Sequence, residues 1–325
     1  MKFATFNILD NQYAYFNNKL CKKTKVVSDN DENLRNSVLV KLFENNNIDI
    51  LFLQEASKQF LNLLETSTLK DKFNISINND LIILINKTIS NNITIIDNTK
   101  YSQNEFVTKR LLAIKCDNII FINIHLPPAA LLEAKNNVLT ITTNIVKDNP
   151  NNQFVIAGDM NTSNYTLGYL SKYDIKSIIT KQMKDTYATS FKLGKCENNT
   201  FMESKKDARH FFIDDIYVSN TITYKDIHII GLFDENYKFV LQDNKFKELG
   251  APYCDPHKYT ESGTCDINQS VNKYTDIFKS NRGESWPSDH ALLYTTLILK
   301  QENNLIHILN KIYDIMVIRD TISTK

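Results

Sequence analysis

Acidic, amide and imidazole side chains stand at the ends of apolar runs at several points along this chain. FNIL carries Asn7, LQEA carries Glu55 just past IDILFL, and NIHLPP carries His125 just past IIFINI. AGDMN carries Asp159 and Asn161 after QFVIA, FIDDIYVS carries Asp214 and Asp215, and WPSDH sets Asp289 and His290 before ALLYTTLIL. Rigid scaffolds present reactive side chains to a cleft from such strand ends. The hard oxygens of Glu55, Asp159 and Asp289 suit Mg²⁺ or Mn²⁺ and not a soft metal. Phosphoester hydrolysis needs this set: a cation for the phosphate oxygens, a carboxylate to activate or orient water, and amide or imidazole donors for the oxyanion. Each segment alone reads as an ordinary turn, because acidic residues cap turns and helices. The order and the company carry the reading.

The elements that must hold these residues follow from periodicity. Residues 2–8, 48–53, 81–86, 93–96, 106–116, 119–124, 153–159, 211–219 and 291–299 read as strands, several of them continuous apolar runs buried on both faces. Residues 34–46 put Leu34, Val38, Leu39, Leu42 and Phe43 on one helical face, 57–66 reads as a second helix, and 129–147 as a third after Pro127-Pro128. The order gives two successive strand-rich sets with intervening helices, which predicts an α/β fold of two packed β-sheets flanked by helices. Residues 1–300 form the expected catalytic domain, interrupted by an irregular polar insertion over 231–285. The tail, 301–325, contains an amphipathic helix with Leu305, Ile308, Leu309, Ile312 and Ile315 at helical spacing.

At 325 residues with 42% hydrophobic and 23% charged side chains, the composition is that of an ordinary globular protein. The formal charge of +1 advertises no polyanion partner and excludes none. The five cysteines, Cys21, Cys116, Cys196, Cys254 and Cys265, cannot all pair and are scattered, which points to a reducing compartment. No apolar run is long enough to span a bilayer. A soluble intracellular protein, cytoplasmic or nuclear, is expected. Cys254, His257 and Cys265 lack a close CxxC pair and a fourth ligand, which argues against zinc.

Taken in order, TFNIL, LQE, NIHL, GDMN, FIDDIYVS and SDH resemble the motifs of the endonuclease/exonuclease/phosphatase superfamily, the DNase I-like group, from residue 2 to about residue 299. The resemblance implies a four-layer α/β sandwich and a magnesium- or manganese-dependent hydrolase of phosphodiester bonds. Its branches include apurinic endonucleases, 5′-tyrosyl-DNA phosphodiesterases, deadenylases and 2′-phosphodiesterases, neutral sphingomyelinases and inositol polyphosphate 5-phosphatases. Residue by residue, it implies Glu55 as principal metal ligand, Asn7 beside it and Asp289 as ligand or neighbour of the metal. Asp159 would orient or deprotonate water, and Asn161 would hold a phosphate oxygen. His290 would bind the phosphate or act as base, Asp214 would fix its ring, and His125 would contact the phosphate from the opposite side and could serve as acid. The assignment of acid and base stays open, as does the number of metals.

Where the superfamily has Asp followed by Tyr or His, this chain has Asp214-Asp215, and a shifted register would give the role to Asp215. A nuclease or phosphodiesterase with nucleic acid as substrate is the first expectation, with Arg35 and Trp286 as substrate contacts. A phosphatase or phospholipase C-like enzyme acting on inositol phosphates or sphingolipid headgroups is the alternative. A catalytically silent binding protein on the same fold would be expected to have lost one of these residues, and all are present.

Overall fold

The structure is a computed structural model. It describes residues 1–8, 47–90, 92–128, 131–161, 165–181, 184, 213–230, 290 and 292–299, with helical residues at 36, 37, 39, 40, 43 and 44 and short strand pieces between 190 and 286. The expected tail helix and most of the 231–285 insertion lie outside the described residues.

Two six-stranded sheets dominate. The first orders as β11-β12-β1-β2-β4-β3, where β1 is Lys2–Asn7, β2 Ile50–Gln54, β3 Phe73–Asn78 and β4 Leu81–Asn86; β11 is Thr223–Ile230 and β12 Leu292–Ile298. The second orders as β5-β6-β7-β8-β10-β9, with β5 Ile93–Ile95, β6 Leu111–Cys116, β7 Ile119–His125, β8 Gln153–Asp159, β9 Ile175–Ser177 and β10 Asp214–Ser219. Each sheet has one parallel pair at its centre, β1 with β2 and β7 with β8, and antiparallel strands outside it.

Strand alternation sorts the side chains into three apolar layers. Between the sheets, Phe3, Ile50, Phe52, Ile83 and Leu293 meet Ile114, Phe121, Val155, Ala157, Ile216 and Val218. Outside the first sheet, Phe6, Leu51, Leu53 and Leu84 pack on Leu39 and Phe43, and on Phe60, Leu64 and Leu69 of the helices Lys58–Thr66 and Thr68–Lys72. Outside the second, Ile120, Ile122, Ile156 and Tyr217 pack on Val138, Leu139, Ile141 and Ile145 of the helix Leu132–Asp148. The result is the expected four-layer α/β sandwich.

One expected strand is shorter than its pattern. Residues 106–116 split into a helical turn, Glu105–Thr108, and the strand Leu111–Cys116. Asn104 drives the split, since its side chain accepts from the Phe106 amide at 3.1 Å and caps the turn, and Lys109 pairs with Glu105 across it. The strands Phe73–Asn78 and Thr223–Ile230 carry weak apolar patterns and were not anticipated.

Candidate active site

Parallel strands end on the same side, and both central pairs end at one edge of the sandwich. Following each strand's inner face toward that edge, the side chains change from apolar to polar: Phe3, Thr5, Asn7 on β1; Phe52, Gln54 on β2; Phe121, Asn123, His125 on β7; Val155, Ala157, Asp159 on β8. The antiparallel strand β10 begins at this edge with Asp214 paired to Asp159, and His290 lies just before β12.

Asn7 joins the two sheets there. Its Nδ2 donates to Glu55 Oε1 at 2.9 Å and to Asp159 Oδ2 at 3.2 Å. Glu55 sits at φ 57°, a left-handed conformation that turns it off the end of β2 toward the centre. The turn is pinned by Ile8 N to Gln54 O at 3.0 Å and Ala56 N to Asp80 O at 3.0 Å. Asp159 is buried, and its Oδ1 accepts from the Asn161 amide at 2.8 Å. Asn161, itself at φ 47°, donates Nδ2 to Leu126 O at 2.7 Å, tying the turn after β8 to the end of β7. From the outer helix the buried Lys135 reaches Asn161 O at 3.4 Å. Burial lowers the Lys135 pKa, and Asp159 opposes that fall.

One residue layer deeper lies a polar bridge the sequence reading did not single out. Gln54 Nε2 donates to Thr5 Oγ1 at 3.1 Å and to Asn123 Oδ1 at 2.6 Å, and Asn123 Nδ2 donates to Leu53 O at 2.8 Å and Ile82 O at 2.9 Å. This bridge locks the two sheets against sliding where their ends must match. Gly158 makes room for it. Its φ is +139°, and a Cβ there would lie 2.0 Å from Ile124 O and 3.2 Å from Gln54 Nε2.

Two imidazoles approach Asp159, each with Nε2 at 3.8 Å from Asp159 Oδ2. His290 Nδ1 lies 2.9 Å from Asp214 Oδ2, so the carboxylate fixes the proton on Nδ1 and leaves Nε2 facing the centre as an acceptor. His125 is held differently: Arg110 Nη1 lies 3.1 Å from its Nδ1. A guanidinium only donates, so Nδ1 accepts, and the ring carries its proton on Nε2, 3.6 Å from Glu55 Oε1. Asp80 adds a carboxylate oxygen 3.8 Å from Nδ1. Burial pulls the His125 pKa down, but Asp80 and the charges of Glu55 and Asp159 outweigh that pull and hold it above its ordinary value. For Asp80, burial acts to raise the pKa, and contact with His125, helped by Asn79 and Arg110, brings it below the usual value.

Strand parity separates the two adjacent aspartates. Asp214 lies on the inner face with Ile216 and Val218; Asp215 lies on the outer face with Tyr217. Asp215 accepts from Ser177 Oγ at 2.7 Å and pairs with Lys184. Burial nevertheless lifts its carboxyl pKa, with Lys184 offsetting part of the rise.

No protein-family model and no curated protein matches this sequence. Solved structures do match. TDP2 of D. rerio, complexed with a single-stranded DNA product, aligns with a TM-score of 0.54 at 12% identity, over 92% of this chain and 98% of that one. The fold is the DNase I-like α/β sandwich. The 3′ phosphatase NExo from Neisseria, bound to a product DNA hairpin, aligns with a TM-score of 0.51 at 13% identity, over 92% of this chain and 99% of that one. A functionally unknown conserved protein from Enterococcus faecalis gives 0.51 at 14%, over 92% and 100%.

On this DNase I-like frame the structure brings together Asn7, Glu55, His125, Asp159, Asn161, Asp214 and His290. Asp289 and Arg35 lie outside the described residues, and Trp286 is described only by its backbone, in the short strand Ser285–Trp286. Sequence reasoning missed Gln54, Asp80, Arg110, Asn123 and Lys135. Gln54 and Asn123 left a signal, each being a lone amide in an apolar strand. Asp80, Arg110 and Lys135 left none, because hairpin ends and helices carry charges routinely.

Glu55, His125 and Asp159 each offer a ligand atom, and these atoms lie within 4.8 Å of one another. Buried or half-buried carboxylates converging this closely need a counter-charge. Because Arg110 commits the His125 Nε2 to donation, the oxygens of Glu55 and Asp159 are the better fit to a hard divalent cation. Among the described residues, no helix is long and apolar enough to cross a membrane.

Proposed function

We propose that this protein is a divalent-metal-dependent hydrolase of phosphodiester bonds, and that its substrate is nucleic acid. The observation that carries the reading is the convergence of Asn7, Glu55, His125, Asp159, Asp214 and His290 from separate strand ends, with both imidazoles 3.8 Å from Asp159. Glu55 and Asp159 would hold Mg²⁺ or Mn²⁺, with Asn7 fixing the carboxylates and Asp289 as a further ligand. When bound, such a cation neutralises the phosphate oxygens and polarises the phosphorus centre.

The protein's own groups divide the remaining work. His290 Nε2 accepts a proton from the attacking water, and Asp214 stabilises the imidazolium that forms. His125, held by Arg110 with its proton on Nε2, offers that N–H as a hydrogen bond to the departing oxygen, which takes its proton from solvent. Asn161 closes the turn that keeps Asp159 aimed at the reacting phosphate. Nucleic acid as substrate is supported by the fold's likeness to TDP2 and NExo, both solved with DNA products.

The test is a panel of labelled single-stranded RNA, single-stranded DNA, abasic duplex DNA, 5′-tyrosyl DNA, inositol phosphates and sphingomyelin, each with Mg²⁺ and with EDTA. Metal-dependent oligonucleotide cleavage that disappears in Glu55→Ala and His290→Ala is expected. Cleavage undiminished in those variants would refute the catalytic assignment. Turnover confined to inositol phosphates or sphingomyelin would move the substrate to the alternative class, and no turnover with tight oligonucleotide binding would leave a binding protein.

A further inference from the structure

We propose that Phe106 and Arg110 form a nucleotide subsite beside the candidate centre, where the phenyl ring stacks on an unpaired base and the guanidinium meets the adjoining phosphate. The inference rests on the nucleic-acid reading above and deepens it. Among the phenylalanines whose side chains are described, Phe106 alone is left exposed, at 44%, while Phe3, Phe6, Phe43, Phe52, Phe60, Phe73, Phe121 and Phe154 are buried in the three apolar layers. Leaving one large aromatic in water is unremarkable by itself. Its position is the informative part. The Arg110 guanidinium lies 5.2 Å from the ring centroid, and its Nη1 lies 3.1 Å from His125 Nδ1. The ring is therefore one side chain removed from the reacting groups, the reach of a neighbouring nucleotide.

The turn that carries the pair is built rigidly. Asn78 Nδ2 donates to Thr108 O at 2.8 Å and to Leu111 O at 2.7 Å, and Asn98 Nδ2 reaches Leu111 O at 2.5 Å. Asn104 caps the helical turn beneath Phe106, and the His125 amide bonds Arg110 O at 3.0 Å. An exposed ring fixed this firmly loses little freedom on binding, which favours a stacking platform. Leu131 and Leu132, exposed at 46% and 53%, extend the apolar character along the chain that leaves His125 through Pro127. The helix they open packs against the Phe106 turn. Arg110 uses one of its five N–H donors on His125, so donors remain for a phosphate oxygen. An aromatic face beside a guanidinium is the combination that grips single-stranded nucleic acid without reading its sequence.

The experiment measures kcat and KM on a single-stranded oligonucleotide with Mg²⁺ for the wild type, Phe106→Ala and Phe106→Tyr. The ring is at the surface, so these variants should keep the wild-type melting temperature. We expect Phe106→Ala to raise KM about tenfold with little change in kcat, and Phe106→Tyr to restore it. A second arm scans a single abasic residue through the oligonucleotide. At one position the abasic residue should weaken the wild type as Phe106→Ala does and add nothing to that variant. An unchanged KM in Phe106→Ala, or a penalty that persists undiminished at every abasic position, overturns the subsite and leaves the proposed activity standing. Wild-type hydrolysis of a small phosphodiester with no oligonucleotide cleavage overturns the nucleic-acid reading and the subsite with it.

Discussion

Gly158→Ala is the most economical test of how the fold sets the site. Gly158 has φ +139°, a region that side-chain-bearing residues rarely enter. The added methyl carbon would sit 2.0 Å from Ile124 O on the neighbouring parallel strand. Ordinary carbon–oxygen contact requires β7 and β8 to separate there by roughly 1 Å or more. The obstruction is backbone, so no rotamer change relieves it, and the next pair in the register is His125 with Asp159. A clash of this type belongs with the severe single substitutions, at about 4 kcal/mol or more, a large share of a total stability of about 5–15 kcal/mol. For a chain of this size that corresponds to a melting temperature lower by roughly 10 °C. The fraction that remains folded should also be impaired. A displacement of roughly 1 Å between His125 and Asp159 should lower kcat by about 100-fold, measured well below the variant's melting temperature. Circular-dichroism melts and steady-state kinetics on one preparation give both numbers. A variant that melts within about 2 °C of wild type and keeps its kcat would refute the claim that this close approach fixes the catalytic geometry.

Three further outcomes follow from the site's charges. Asp214→Asn should lower kcat by about 10–100-fold, because the amide no longer accepts the Nδ1 proton of His290 as a carboxylate does, whereas Asp215→Asn should leave kcat within about twofold; equal losses in the two variants would contradict the parity assignment. Lys184→Ala should destabilise by about 3–5 kcal/mol at neutral pH, since it leaves Asp215 buried without its counter-ion. Because burial holds the folded pKa of Asp215 above its unfolded value, stability falls as pH rises from the ordinary carboxylate range through the folded pKa, and protonation at lower pH relieves it. Urea midpoints across that range should therefore show the Lys184→Ala deficit shrinking on acidification, and a pH-independent deficit would be inconsistent with a buried carboxylate. Mg²⁺ at about 100 times its dissociation constant should stabilise the wild type by about 2.7 kcal/mol, with the thermal shift abolished in Glu55→Ala; an undiminished shift in that variant would move the cation elsewhere.

The strands that build the centre were legible because they are long, apolar and end in a polar residue. IDILFL, IIFINI and QFVIA allow no other economical reading, and each hands its last residue to the site. The helix Leu132–Asp148 was legible from its periodicity and the prolines before it. The turn at Glu105–Thr108 was hidden because Phe106 and Val107 extend the apolar pattern of β6, and the signal against a strand was a single capping asparagine. The choice between Asp214 and Asp215 was open in the sequence because both residues precede the same apolar run. Only the identity of the face beneath β10 separates them, and that face is set by strands far away in the chain.

The Gln54–Asn123 bridge explains why the site stands where it does. A sandwich held only by apolar side chains has no strong preference for one sliding register over its neighbours, since hydrophobic contact is not directional. Two fully buried amides, with Gln54 Nε2 donating to Asn123 Oδ1 and Asn123 Nδ2 donating to two backbone carbonyls across the gap, do impose one, because a slip would leave these donors and acceptors unpaired in the core at about 1–3 kcal/mol each. They lie one layer below Asn7, whose contacts to Glu55 and Asp159 span the same gap. Catalytic geometry across two sheets needs alignment to a fraction of an ångström, and apolar packing alone does not supply it. It follows that Asn123→Leu should keep the fold's secondary structure and lose activity out of proportion to its stability, because the substitution keeps apolar contact while removing the directional bonds that, with those of Asn7, set the sheets in register.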